Sequence, residues 1–105
     1  MVELTHDSDK MLCCLYKEYL ERRKLGNSKR YSRRFSSEYC SNDSVLSSWC
    51  CSDISDSIME LGQKKYLKVY IGGDFELTDS AIIYMENRFK NNIVELTDFI
   101  SKFIP

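Results

Sequence analysis

The stretch from Lys64 to Asn87, KKYLKVYIGGDFELTDSAIIYMEN, decides how this chain is read. Leu67, Val69 and Ile71 alternate with Tyr66, Lys68 and Tyr70, the period-two pattern of a strand with one buried face. Two glycines and an aspartate follow, then Phe75 and Leu77 alternate again, so the segment reads as a β-hairpin. A three-residue loop Gly72-Gly73-Asp74 pairs Ile71 with Phe75 and Val69 with Leu77, which gathers the strongest apolar residues on one face. A two-residue Gly72-Gly73 loop splits that face, and register follows the buried face. Thr78 or Asp79 then caps a helix to about Lys90, with Ile82, Met85 and Phe89 at helical spacing.

Upstream, residues 1–7 read as a flexible N-terminus. Ser8 or Asp9 caps a helix to about Leu25, with Leu12, Leu15, Tyr16, Tyr19 and Leu20 on one face and Gly26-Asn27 as its stop. The next segment, 22–34, has no period and reads as a loop ending in an extended piece over Tyr31–Phe35. A short helix is expected within Asn42–Cys50, carrying Val45, Leu46 and Trp49, with Trp49 as a core anchor. Ser52 and Asp53 are N-cap candidates for a helix over about 53–64 whose buried stripe is Ile54, Ile58 and Leu61. Downstream, Asn91-Asn92 breaks the Thr78-capped helix, and a last helix carries Ile93, Leu96, Ile100 and Phe103/Ile104.

With 105 residues and 43% hydrophobic composition, the chain suits one small domain with a core. No apolar run is long enough to cross a bilayer and the start, MVELTHDSDK, is no signal peptide, so a cytoplasmic location is the default expectation. The five cysteines include two adjacent pairs and no C-x2-C spacing, a poor framework for disulfides or structural zinc. They read as free thiols in core or surface positions. Catalysis has no footing: His6 is the only histidine, Gly72-Gly73 belongs to a turn, and Asp53/Asp56 and Glu86/Glu95 read as caps and surface residues. No cofactor is implied. Cys50-Cys51, just before a helix start, leave thiol redox sensing as a minor class, which the adjacent aspartates oppose.

Charge is unevenly placed. Net charge is -1, yet residues 22–34 hold seven Lys/Arg and no acid, while 35–63 hold five acids and no Lys/Arg. Such asymmetry concerns partners rather than fold.

Three helices followed by a two-stranded hairpin is the order of a winged helix-turn-helix. The residues Ile54, Ile58 and Leu61 followed by KKYLKV, then GGDFELTDSAIIYMEN, resemble the uncharacterised small winged-helix proteins of Gram-positive bacteria and their prophages, of the YjcQ kind. The resemblance covers about residues 9–90 and rests on core-residue patterns. It implies a mostly α fold with a small β-hairpin (α+β) and a winged-helix domain over 8–90. Beyond it, the apolar stripe in 91–105 reads as an extra C-terminal helix that packs on the first helix or pairs two subunits.

In that architecture the third helix, Asp53–Lys64, enters the DNA major groove. Here its outward residues are Ser52, Asp56, Met59, Glu60 and Gln63, and acids repel phosphate. The expected function is a small DNA-binding or transcription-regulatory protein. In it Arg22, Arg23, Lys29, Arg30, Arg33 and Arg34 contact phosphates of double-stranded DNA, while Gln63, Lys64 and Lys65 contribute from the third helix. The bland counterpart is that the basic stretch is solvated, or pairs with the acidic block at 35–63 within the chain or across a dimer. The alternative function is a winged-helix interaction module that binds a protein partner at its acidic third helix and does not bind DNA.

Overall fold

A computed structural model describes residues 3–90 and 93–102. Helix α1 (His6–Lys24) is the longest element. It starts at least three residues before the sequence suggests, because Thr5, not Ser8 or Asp9, is the cap: its hydroxyl accepts from the Ser8 N–H at 3.3 Å. Thr5 is itself held from afar. Its N–H and its hydroxyl donate to the two carboxylate oxygens of Glu60, each at 3.0 Å. A carboxylate 55 residues away therefore fixes a helix start that local sequence places at Ser8 or Asp9. Acids in the first turn of α1 and Arg22, Arg23 and Lys24 in its last turn both suit the helix dipole.

The chain continues through α2 (Lys29–Ser32), β1 (Arg34–Phe35), α3 (Tyr39–Asn42) and a 3-10 turn (Leu46–Ser48) to α4 (Cys51–Gln63). In place of the expected helix within Asn42–Cys50 there is only the 3-10 turn, and α3 ends where that helix is expected to begin. Asp43 separates them, accepting from the Val45 and Leu46 N–H groups and from the Tyr39 hydroxyl. Leu46 is the buried anchor here, and Trp49 is only partly buried. Helix α4 begins after Cys50, which makes no side-chain cap bond, rather than at Ser52 or Asp53. Its fully buried residues are Ser57 and Leu61, with Ile54 and Ile58 half-covered.

Strands β2 (Leu67–Val69) and β3 (Phe75–Leu77) form the expected hairpin, and β1 joins them in an antiparallel sheet of order β1-β3-β2. Leu67 pairs with Leu77 and Val69 with Phe75, so the expected register is shifted by two residues. The shift preserves which side chains share a face, so alternation alone does not distinguish the two registers. The loop becomes Ile71-Gly72-Gly73, closed by the Tyr70 N–H donating to the Asp74 carbonyl at 2.8 Å and the Gly73 N–H to the Tyr70 carbonyl at 3.1 Å. Gly72 and Gly73 have φ of +100° and +98°, which this turn requires. Ile71 is displaced to the tip and fully exposed.

Helix α5 (Asp79–Phe89) is capped by Thr78 as expected, and Ile82, Met85 and Phe89 are buried. Helix α6 (Ile93–Ser101) lies on α1 and buries Leu96 and Ile100. Phe99 meets the Phe89 ring at 5.6 Å, with the Arg88 guanidinium 4.8 Å from its centre. Arg88 also forks onto the Asp9 carboxylate, tying α5 to the start of α1. The packing alternative for the last helix thus uses its apolar stripe within the chain. Asn91-Asn92 and Phe103/Ile104 lie outside the described residues. No described helix is long and apolar enough to cross a membrane.

Two predictions follow from these contacts. The Thr5 hydrogen bonds hold the Glu60 carboxyl below its usual range. Its contribution is therefore present above the unfolded carboxylate pKa of about 4.3 and lost as pH falls through the folded value. Glu60→Gln should cost less than about 1 kcal/mol near neutrality, given its exposure, and the gap to wild type should close in denaturant melts as the solution is acidified below pH ~4. A side chain at Gly73 would be strained and would also bring its Cβ to 3.0 Å from the Ser37 Cβ, whereas Gly72 faces open space. Gly73→Ala should cost about 1–2 kcal/mol for the left-handed backbone plus the clash, and more than Gly72→Ala in the same thermal melt.

Candidate nucleic-acid interface

Half of the basic stretch is built into helix. Gly26, at φ +98°, ends α1, and the Asn27 N–H and side-chain amide both donate to the Arg22 carbonyl, each at 3.1 Å. The Ser28 hydroxyl then accepts from the Tyr31 N–H at 3.1 Å and caps α2. Where a loop is expected there is thus a helical turn, and the extended piece is confined to Arg34–Phe35. Phe35 is buried and stacks on Phe75 with ring centres 5.6 Å apart, which fixes β1 against β3.

The six basic candidates of this stretch do different things. Arg22 is an internal staple: it donates to Glu18 at 2.9 Å and to the carbonyls of Ser32 and Arg34 at 3.3 and 2.6 Å, with its guanidinium 4.7 Å from the Phe35 ring centre. Arg33 is another. It donates to the Leu77 carbonyl at 2.8 Å and to Asp79 at 3.0 Å, and lies 3.3 Å from Glu76. Their side chains are only 18% and 17% exposed, too covered to reach a phosphate without leaving these bonds. Arg33 in turn holds the Asp79 carboxyl below its usual range.

The other four are exposed. Arg23 donates to the Asn27 carbonyl, and Lys29 lies 3.5 Å from Asp79. Arg34 stacks 4.5 Å from the Tyr70 ring centre and is 3.9 Å from Asp74. Arg30 has no ion pair among the described residues. Arg30, Tyr31 and Arg34 line an open groove of about 600 Å³, floored by Phe35 and Arg22 and bounded by Ser28, Ser36 and Asp74. Asp74 is fixed there by the Ser37 N–H at 3.0 Å. The sequence marks Asp74 only as a turn residue and gives no sign that it reaches this groove.

The acids that meet the basic stretch are Glu18, Asp74, Glu76 and Asp79, not the block at 35–63. Within that block, Asp43 caps a turn and Glu60 holds Thr5, while Asp53 and Asp56 are exposed on α4. Gln63, Lys64 and Lys65 are exposed as well, but on the other side of the sheet. The Arg33 carbonyl accepts from the Leu77 N–H, while the Tyr66 and Lys65 carbonyls accept from the Thr78 N–H and hydroxyl. The two basic groups therefore flank β3 from opposite edges, about 10 Å apart at the main chain.

Cys13, Cys14 and Cys40 are buried free thiols, and burial pushes Cys13 up to about 12 and Cys40 up to about 11. Cys50 and Cys51 are exposed. Hydrogen bonding from Ser52 lowers Cys50, outweighing the opposing Asp53 charge.

Comparison with protein-family models, curated proteins and solved structures finds no match to this chain.

The division of the arginines is testable by stability. Arg22→Ala and Arg33→Ala should each cost about 1.5–3 kcal/mol in denaturant melts, since each leaves covered carbonyls without a donor, and Lys should not rescue the forked bonds. Arg30→Ala should stay within about 0.5 kcal/mol of wild type.

Proposed function

We propose that this chain is a small regulatory module on a winged-helix frame that grips a nucleic-acid backbone along its α2–β1 edge. The frame reading is supported by the order of elements: α1, β1, two short helical turns, α4, and then the β2–β3 hairpin as wing. A sheet ordered β1-β3-β2, with the first strand paired to the last, suits the same frame. The resemblance to small winged-helix proteins points the same way.

The observation that carries the binding reading is the groove lined together by Arg30, Tyr31 and Arg34. Guanidinium groups fork onto phosphate oxygens, and an exposed aromatic ring offers a face to a sugar or base. With Arg22 and Arg33 committed internally, the grip draws on Arg23, Lys29, Arg30 and Arg34. Gln63, Lys64 and Lys65, on the far edge, are left out of it. Contacts of this kind position a backbone and carry no sequence information by themselves.

These four cations set the scale of the expected salt sensitivity. Neutralising four phosphates gives a log–log slope of about -3.6, roughly a hundredfold loss of affinity between about 50 and 200 mM salt. The test is titration of a labelled random-sequence duplex at these two salt concentrations, beside an Arg30→Ala/Arg34→Ala variant. Salt-sensitive binding that is lost in the variant is the expected result.

A second reading has an observation of its own. The exposed first half of α4 carries Asp53 and Asp56, where a DNA-reading helix needs positive or amide side chains. On that reading the frame serves protein contact alone. Absence of binding at the lower salt concentration would remove the nucleic-acid reading and leave this one.

A further inference from the structure

The groove at the β1 edge holds one group that a phosphate backbone does not explain. Asp74 lines it together with Arg30, Tyr31 and Arg34. The Asp74 Oδ1 accepts from the Ser37 N–H at 3.0 Å, and Oδ2 lies 3.9 Å from the Arg34 guanidinium. A carboxylate has about four acceptor positions, so most of those on Asp74 are left open. Tyr31 is 62% exposed, with its N–H held by the Ser28 hydroxyl and the Arg22 guanidinium 5.8 Å from its ring centre. A large ring thus stands in solvent on a capped and stapled turn, in one groove with two cations and a carboxylate. The groove, at about 600 Å³, falls within the roughly 300–1,000 Å³ of small-ligand sites.

We propose that this groove takes one unpaired guanine nucleotide of a single strand. Its base lies against Tyr31, its N1–H and 2-amino group donate to Asp74, and its phosphate meets Arg30 and Arg34. The inference rests on the nucleic-acid reading and names what that site selects. Guanidinium groups call for an anion, an exposed ring for a flat π face, and a carboxylate for neutral N–H donors. A nucleotide carries all three. Among the bases only guanine presents two adjacent donors on its Watson–Crick edge, which match the two oxygens of one carboxylate. Adenine, cytosine, thymine and uracil place an acceptor beside each donor, and that acceptor meets the Asp74 charge. In a duplex the guanine donors are taken by cytosine. The base is therefore unpaired, as in single strands whose bases stack on aromatic side chains and are read on this edge.

Other occupants fit less well. A duplex backbone uses the cations but offers Asp74 no donor. An acidic peptide meets the arginines and is repelled by Asp74. A free guanine nucleotide fills the groove but leaves unused Arg23 and Lys29, exposed cations outside it. A strand continues past the groove and supplies phosphates for them.

The test is fluorescence anisotropy of the full chain at about 50 mM salt, with circular dichroism to verify folding of each variant. The probes are short labelled thymidine strands with one central base changed. The guanine strand should bind about tenfold tighter than the adenine or all-thymine strand. Hypoxanthine, which lacks the 2-amino group, should lose at least about threefold of that, and annealing the complementary strand should remove the preference. Asp74→Asn keeps an acceptor for the Ser37 N–H and should erase the guanine preference without weakening the all-thymine strand. Tyr31→Ala should weaken every single strand by about tenfold and duplex binding by less than about threefold. The RNA counterpart should bind within about threefold of the DNA strand. A large gain from ribose would put sugar hydroxyls rather than the base on Asp74 and overturn the assignment. Guanosine 5′-monophosphate competing as well as the strand would make the ligand a free nucleotide and overturn it too. Equal binding of all bases, or a guanine preference that survives Asp74→Asn, would overturn this inference and leave the backbone grip standing. Absence of binding to every strand and duplex would remove both.

Discussion

Six consecutive residues of α1, Met11 to Tyr16, are buried, and a helix buried all round needs a neighbour on every side. This constraint organises the molecule. Helices α4, α5 and α6 and the short α2 all pack on α1. The paired cysteines at 13 and 14 belong to the same constraint, as small apolar groups on a helix with no solvent face at that level. Polar clasps then fix how the surrounding elements meet α1: Glu60 holds its cap residue, Arg88 holds Asp9, and Arg22 carries its last turn onto β1. The first two join groups 55 and 79 residues apart, and the third joins neighbours in the chain 12 residues apart.

The concentration of positive charge in a chain of net charge -1 has two physical explanations rather than one. The bonds of Arg22 and Arg33 run to backbone carbonyls of α2, β1 and β3, where a planar, forked donor is required and a point charge does not substitute. Those two residues are part of the framework. The rest are held near acids of the hairpin and α5, or near none. Their positions follow from β1: pairing with β3 forces alternate residues to opposite sides, so Arg33 and Arg34 diverge, one toward the Asp79 corner and the other toward the groove.

Sequence carries most of the long elements and little of the short ones. Helix α5 is legible because its cap and its period are local. Helix α1 was legible in its body, where apolar residues recur, and not at its start, where the cap depends on Glu60. Four-residue turns such as α2 and α3 have too few residues to show a period at all. The hairpin shows the limit most clearly. Alternation specifies which side chains share a face, and two registers satisfy it equally. The one adopted buries Leu67 opposite Leu77 and leaves Ile71 exposed, in a sheet whose β2 packs on α4 and whose β3 pairs with β1. The candidate site followed the same rule. That the basic stretch matters was visible in composition, but which arginines are structural depends on pairing that no local pattern encodes.

The placement of charge differs between the two edges of the sheet. At the β1 edge, cations surround an aromatic floor, and the nearby acids lie at the groove's rim. At the β2 edge, α4 carries Asp53 and Asp56 in its first half and Glu60 beyond them, with Lys64 only at its end. A surface for phosphate needs, first of all, one sign of charge. The β1 edge meets the first requirement only if Arg22 and Arg33 remain in their internal bonds, because their guanidinium groups hold the strand that presents Arg34. The framework arginines and the exposed arginines are thus coupled: loss of the former removes the geometry of the latter without touching a ligand.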